Sequence, residues 1–136
     1  MATLSSGLPD LVADEEDLAR FLTQSNQFNA SMAKPAAFLP SPKDRETSVA
    51  RHGTEPLERL WAIGVNAAGD RTLYGAAIFK ARTVRIAQLE VTADEPPPRH
   101  AVIRGWPSVE TDPELQKAKQ KEMAAIIASE AVVVRR

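Results

Sequence analysis

The clearest periodic signal along the chain is an apolar stripe at Leu57, Leu60, Trp61, Gly64, Val65 and Ala68. These positions fall at i, i+3, i+4, i+7, i+8 and i+11, so all of them share one helical face. Thr54 stands where an N-cap belongs, Pro56 falls within the first turn, and Gly69-Asp70 supplies a stop. A shorter stripe, Leu18, Phe21 and Leu22, follows Asp14 as a candidate cap. Glu15, Glu16 and Asp17 would then occupy a first turn, where the helix dipole favours negative charge. The pattern predicts a helix of about two to three turns there. A third helix is predicted from Asp112 as cap, with Pro113 at its first position and Glu114 next. Leu115, Ala118, Met123, Ile126 and Ile127 make its apolar stripe, and Lys117, Lys119, Lys121 and Glu122 its other face.

Between the helices the pattern is that of short strands. Thr47 to His52 alternates weakly and ends at Gly53. Leu73 to Lys80 and Val84 to Val91 are apolar runs bounded by polar residues, with Ala81-Arg82-Thr83 as a hairpin connection. A helix through 76–89 is the alternative, because alanine is frequent there. Tyr74, Ile78, Phe79, Val84 and Ile86 favour strands. Ala101 to Arg104 reads as another strand, aimed by Pro96-Pro97-Pro98 and closed by Gly105-Trp106-Pro107. Ala36 to Leu39, between Pro35 and Pro40, suits a short edge strand. The rest of 24–46 is a long loop of the kind that is ordered for a purpose or disordered. Val132 to Val134 is an apolar end that can add a strand, dock on the body or touch a partner.

These elements predict a single α+β domain over 14–131: a small, mostly antiparallel sheet packed by about three helices, with a long ordered loop after the first. Residues 1–13 are expected to be a flexible N-terminal tail and 132–136 a C-terminal extension. A length of 136 residues suits one domain with a modest core. Aromatics are only 5%, so that core must rest on Leu, Ile, Val and Ala.

Charge and composition narrow the chemistry. The formal net charge is -1, so no overall field draws nucleic acid or an anionic membrane. The sign is uneven, however. Asp10, Asp14, Glu15, Glu16 and Asp17 make the start acidic, while Arg71, Lys80, Arg82, Arg85, Arg99 and Arg104 make the middle basic. The chain has no cysteine, which excludes disulfides, thiolate nucleophiles and cysteine metal sites. No apolar run is long enough to span a bilayer, and no basic-then-apolar leader opens the chain. A cytoplasmic bacterial protein is expected, with no membrane association.

The two histidines, His52 and His100, each follow an arginine, Arg51 and Arg99, at the edge of a predicted strand. Brought together, imidazoles could shuttle protons while arginines hold a phosphate. The plainer explanation is two pairs of surface loop residues that never meet. Arg51-His52-Gly53-Thr54 before a helix also resembles the His-Gly-Thr signature of ADP-ribosyltransferases. Tyr74 and Glu90 or Glu110 are present but poorly spaced for that family's tyrosine and late glutamate, and a turn with an N-cap accounts equally for Gly53-Thr54. No HxH, HxxxH or HExxH spacing exists, so neither a metal nor any other cofactor is expected. P-loop, GxGxxG and nucleophile-elbow motifs are absent as well. Arg82, Arg85 and Arg104 could track a phosphate backbone, although a solvated hairpin rim explains them too. Trp106 is either a core plug or a partner anchor.

Several pieces carry a resemblance: Arg20-Phe21 with Gln24-Ser25, Lys34-Pro35-Ala36-Ala37-Phe38-Leu39-Pro40, Thr47-Ser48-Val49, Leu60-Trp61-Ala62-Ile63-Gly64, Leu73-Tyr74-Gly75, and Pro96-Pro97-Pro98-Arg99-His100-Ala101 with Gly105-Trp106-Pro107. Over about residues 18–128 the chain resembles a small uncharacterised bacterial family found among mobile-element and defence genes. The resemblance implies a non-enzymatic accessory or interaction protein, with a partner protein encoded nearby, and it supplies no catalytic residues. Two other functions compete with it. One is an enzyme acting on nucleotide or RNA phosphates through Arg51, His52, Arg99 and His100. The other is a nucleic-acid-binding subunit that uses the basic middle.

Overall fold

The computed structural model describes residues 4–136. It is an α+β fold built on one sheet. The strands of that sheet are β1 (Asp17–Leu22), β4 (Thr47–Arg51), β5 (Gly75–Lys80), β6 (Glu90–Ala93), β7 (His100–Arg104) and β8 (Val132–Arg135). Their order is β6-β7-β4-β1-β5-β8, and every neighbouring pair is antiparallel. A small hairpin, β2 (Phe28–Asn29) with β3 (Met32–Ala33), stands apart. The helices are α1 (Leu57–Ala68), α2 (Ala81–Ile86) and α3 (Pro113–Glu130).

The sheet is covered on both faces, unequally. Leu18, Leu22, Val49, Phe79, Ile103 and Val133 turn to a large core shared with Phe38, Val84, Trp106 and Ile127. Ala19, Ala50 and Ala76 turn the other way, against Leu60 of α1, with Phe21, Trp61, Ile63 and Ile78 half-buried around them. Small residues there let α1 lie close. A Cβ at Gly64 would sit 2.7 Å from the Phe21 ring and 2.8 Å from Leu73, so this helix position must be glycine for α1 to reach its depth.

Several expected elements differ, each for a physical reason. The segment expected as the first helix is the central strand β1, paired to β5 from Asp17–Lys80 to Leu22–Gly75. Leu18 and Leu22 are four apart, a spacing shared by helix and strand; Phe21 decides between them, and it faces α1 rather than the large core. Residues 84–91 are not one strand. The chain passes from β5 into α2 and turns at Gln88, whose φ is 66°, before β6 begins at Glu90. Ala81, Thr83 and Val84 are the buried side of that short helix. Pro35–Ala37 is a 3-10 turn rather than an edge strand, with the Phe38 N–H donating to the Pro35 carbonyl. Asp112 caps α3 as expected, accepting from the Leu115 N–H. Thr54 makes no cap on α1, whose N-cap position is Pro56.

Both ends of the described chain are tied in. Val132 to Arg135, expected as an extension, is the edge strand β8 on β5. Of the residues expected as a flexible tail, 1–3 lie outside the described residues and 5–12 are held by specific contacts. Ser5 and Ser6 donate to the Glu95 carboxylate, the Pro9 and Leu11 carbonyls accept from Arg51, and Val12 is buried in the large core. Among the described residues, no helix is long and apolar enough to cross a membrane.

Candidate functional site

Folding sets the two arginine-histidine pairs side by side, the Arg51 N–H donating to the Arg99 carbonyl at 2.7 Å, but it commits both arginines to the chain and lines the two histidines into different clefts. In a strand, neighbouring side chains point to opposite faces. Arg51 ends β4 and turns into the protein, where its side chain is 0% exposed. Its Nε and Nη2 donate to the Glu16 carboxylate at 2.5 and 2.8 Å, and its Nη1 to the Pro9 carbonyl at 2.7 Å. That guanidinium is paired with a carboxylate and has no exposed surface. Arg99 is also occupied. Its Nε donates to the Arg51 carbonyl at 2.7 Å and its Nη2 to the His52 carbonyl at 3.1 Å, with Glu55 at 3.4 Å. It stitches the end of β4 to the turn before β7.

The histidines line different clefts. His52 lies with Ser6, Arg51, Glu55, Arg59 and Arg99 in one of about 440 Å³, and its Nδ1 is buried with no hydrogen-bond partner among the described residues. His100 stands directly across from Ala50 and lines a second cleft of about 560 Å³. Its Nδ1 is 2.9 Å from the Asp94 carbonyl oxygen and 3.3 Å from the Asp94 carboxylate. Ile63 and Pro98 line both clefts, which adjoin there.

The expected basic face is largely neutralised. Four consecutive carboxylates, Asp14, Glu15, Glu16 and Asp17, take four different cations: Arg85, Arg82, Arg51 and Lys80. Arg85 also holds Glu90 at 2.9 Å, and Arg104 pairs with Glu46. Burial raises the Glu90 carboxyl, but the Val91 N–H and Arg85 outweigh that and hold it below the usual range. So Arg82, Arg85 and Arg104, the residues expected to meet phosphates, meet carboxylates of their own chain. Trp106 is a core side chain, 7% exposed, and presents no anchor to a partner.

The larger cleft contains what the sequence pattern did not single out. It lies between α1, the middle of the sheet and the triproline turn, lined by Arg20, Phe21, Asn66, Arg71, Pro98 and His100 among others. β1 and β4 are paired at Leu18–Arg51 and Ala19–Ala50, and beyond that register Arg20 bridges them. Its Nε donates to the Ala37 carbonyl at 2.7 Å and its Nη1 to the Ser48 carbonyl at 2.9 Å. Arg71, just past α1, donates from Nε to the Ala68 carbonyl at 3.0 Å and from Nη2 to the Ala67 carbonyl at 3.1 Å. These carbonyls lie at a helix C-terminus, where a cation is favoured, and the Ala68 one also accepts from the Arg71 N–H at 3.1 Å. Burial, and after it the charge of Arg71, bring the Arg20 guanidinium down to about 10. One signal was available: Arg20 is a charge set inside the apolar run Leu18 to Leu22.

No three His, Asp or Glu side chains gather as a metal-binding group among the described residues. Comparison of the chain with protein-family models, with curated proteins and with solved structures returns no match.

Proposed function

We propose that the chain is a non-enzymatic accessory or interaction protein. The observation that carries this reading is the use made of the paired residues. Arg51 is saturated by Glu16 and backbone carbonyls, Arg99 is engaged by the carbonyls of Arg51 and His52 and by the Glu55 carboxylate, and the two histidines line different clefts. Acid-base chemistry on a phosphate by Arg51, His52, Arg99 and His100 acting together would need all four around one reacting atom. The setting that the family resemblance implies is a cytoplasmic, multi-gene mobile-element or defence system, in which this chain acts on a protein encoded nearby.

Turnover assays test the reading. The protein is incubated with single-stranded RNA, with cyclic and linear dinucleotides, and with NAD plus a protein acceptor. His52→Ala and His100→Ala variants are run beside the wild type. The expected outcome is no product above that of the variants. Product that disappears in either histidine variant, with the fold intact by circular dichroism, would establish an enzyme instead.

A further inference from the structure

Arg20 and Arg71 line one cleft, and neither has a carboxylate within ion-pair distance among the described residues. Elsewhere the chain supplies carboxylates freely, with Asp14 to Asp17 each committed to a cation. We propose that this cleft is a binding site for a small organic phosphomonoester with a planar or apolar body.

Charge is the first argument. Arg71 acts on Arg20 as a like charge. Two like charges in a partly desolvated cleft repel, and a bound anion relieves both. A phosphomonoester carries about -1.5 to -2 at pH 7, which matches two guanidinium groups better than a single carboxylate does.

Donor accounting is the second. A guanidinium has five N–H groups in a rigid fork. Arg20 spends Nε and Nη1 on carbonyls, and its Nη2 has no acceptor among the described residues. Arg71 spends Nε and Nη2 on carbonyls, and its Nη1 reaches only Thr23 Oγ1, at 3.5 Å. The carbonyls thus fix both groups in place and leave Arg20 Nη2 and Arg71 Nη1 as the donors for a ligand. Such preorganised charge-assisted donors are the usual phosphate clamp.

The body of the ligand follows from the walls. Phe21, Ile63, Ala67 and Pro98 are apolar, and Asn66 and His100 add polar edges. The volume of about 560 Å³ lies within the range of small-molecule pockets. Inorganic phosphate alone would leave those apolar walls wet.

Calorimetric titration of the full chain tests the site, with phenyl phosphate and AMP as probes bracketing body size, and inorganic phosphate and phenol as controls. At least one organic phosphate is expected to bind saturably and more tightly than inorganic phosphate, and phenol not at all. Arg71 is exposed, so Arg71→Gln is expected to fold normally, with an unchanged thermal transition in the absence of ligand. It should weaken the organic phosphate by about tenfold, the loss of one charge-assisted hydrogen bond. Arg59→Gln, the same charge change outside this cleft, should leave binding unaltered. No saturable binding of either probe by about 10 mM, a level corresponding to under 3 kcal/mol, overturns the proposal. So does equal binding by Arg71→Gln and wild type, an equal loss in Arg59→Gln, or organic phosphates that bind no better than inorganic phosphate. The site does not depend on the accessory-protein reading: product in the turnover assays would sink that reading and leave these titrations as they stand.

Discussion

Arg51 and Arg20 sit on adjacent strands at the centre of one sheet, and the protein treats them oppositely. Arg51 is fully buried, clasped by both oxygens of Glu16, and roofed by the Pro9 and Leu11 carbonyls. Arg20 is part-buried, held by two carbonyls, and accompanied by a second arginine rather than an acid. Desolvating a cation costs several kcal/mol unless a partner compensates it. Where this chain supplies the compensation, the arginine is scaffold. Where it withholds it, the cation is left for something outside the chain.

Separating the two arginines from their surroundings should have unequal effects. The largest is expected for Glu16→Gln, which leaves the Arg51 charge buried with no counter-ion. Stability should fall by about 3 kcal/mol, read by chemical denaturation. A loss well under 1 kcal/mol would mean that the carbonyls of Pro9 and Leu11 alone satisfy Arg51, and the contrast with Arg20 would collapse. Arg20→Met comes next, at about 1 to 2 kcal/mol. It strips the donors from the Ala37 and Ser48 carbonyls but also removes an uncompensated charge, and the two effects oppose each other. If Arg20→Met proves costlier than Glu16→Gln, Arg20 is a structural clamp first. Gly64→Ala should cost about 1 kcal/mol net, because crowding against Phe21 and Leu73 outweighs the gain in helix propensity. Since Phe21 is also a wall of the open cleft, the same variant should alter any ligand titration there. Unchanged binding would show that the wall yields without reshaping the cleft.

The contrast also explains what could be read from the chain and what could not. α1 was legible because a 3.6-residue stripe and a stop agreed over three turns; α3 was legible from its Asp112 cap and Pro113 start rather than its stripe, since Leu115, Ala118 and Ile126 are exposed and Ala124, Ile127 and Ala128 are the buried residues. β4 and β7 were legible as short apolar runs between turn residues. β1 was not, because a central strand is covered on both faces and its apolar residues do not alternate. Leu18 and Ala19 are both fully buried, on opposite sides. The acidic run at 14–17 misled for a related reason. It invited a helix N-terminus, whereas its real partners are cations 35 to 71 residues away that only the sheet and α2 bring close. The same long-range pairing turned an apparent basic face into a neutral one. Arg20 and Arg71 stand 51 positions apart, on β1 and past α1, and no local spacing rule joins them.

The smallest expected effect concerns the roof over Arg51. Residues 4–12 cross that guanidinium, and their outer end is fastened to Glu95, whose carboxylate accepts from Ser6 N at 3.1 Å, Ser5 Oγ at 3.0 Å and Arg99 N at 3.1 Å. Burial raises this carboxyl, but the hydrogen bonds from Ser6, Arg99 and Ser5 outweigh it and hold it below its ordinary 4.5. A group whose folded value is depressed stabilises the fold above its unfolded value and loses that stabilisation as pH falls through the folded one. The fastening should therefore be complete above pH 4.5 and weaken as the pH drops below it. Because Glu95 is only half-buried and its partners are Ser5, Ser6 and the Arg99 amide, the loss should be local. Hydrogen exchange at Ser6 should accelerate on acidification, after correction for intrinsic rates, while the amides of β4 stay protected. Glu95→Gln should show that faster exchange already at neutral pH and respond less to acid. Exchange at Ser6 that is indifferent to both changes would mean that Arg51 itself, through the Pro9 and Leu11 carbonyls, holds the segment down. The closed arginine would then be anchoring its own roof, with no help from outside the pair.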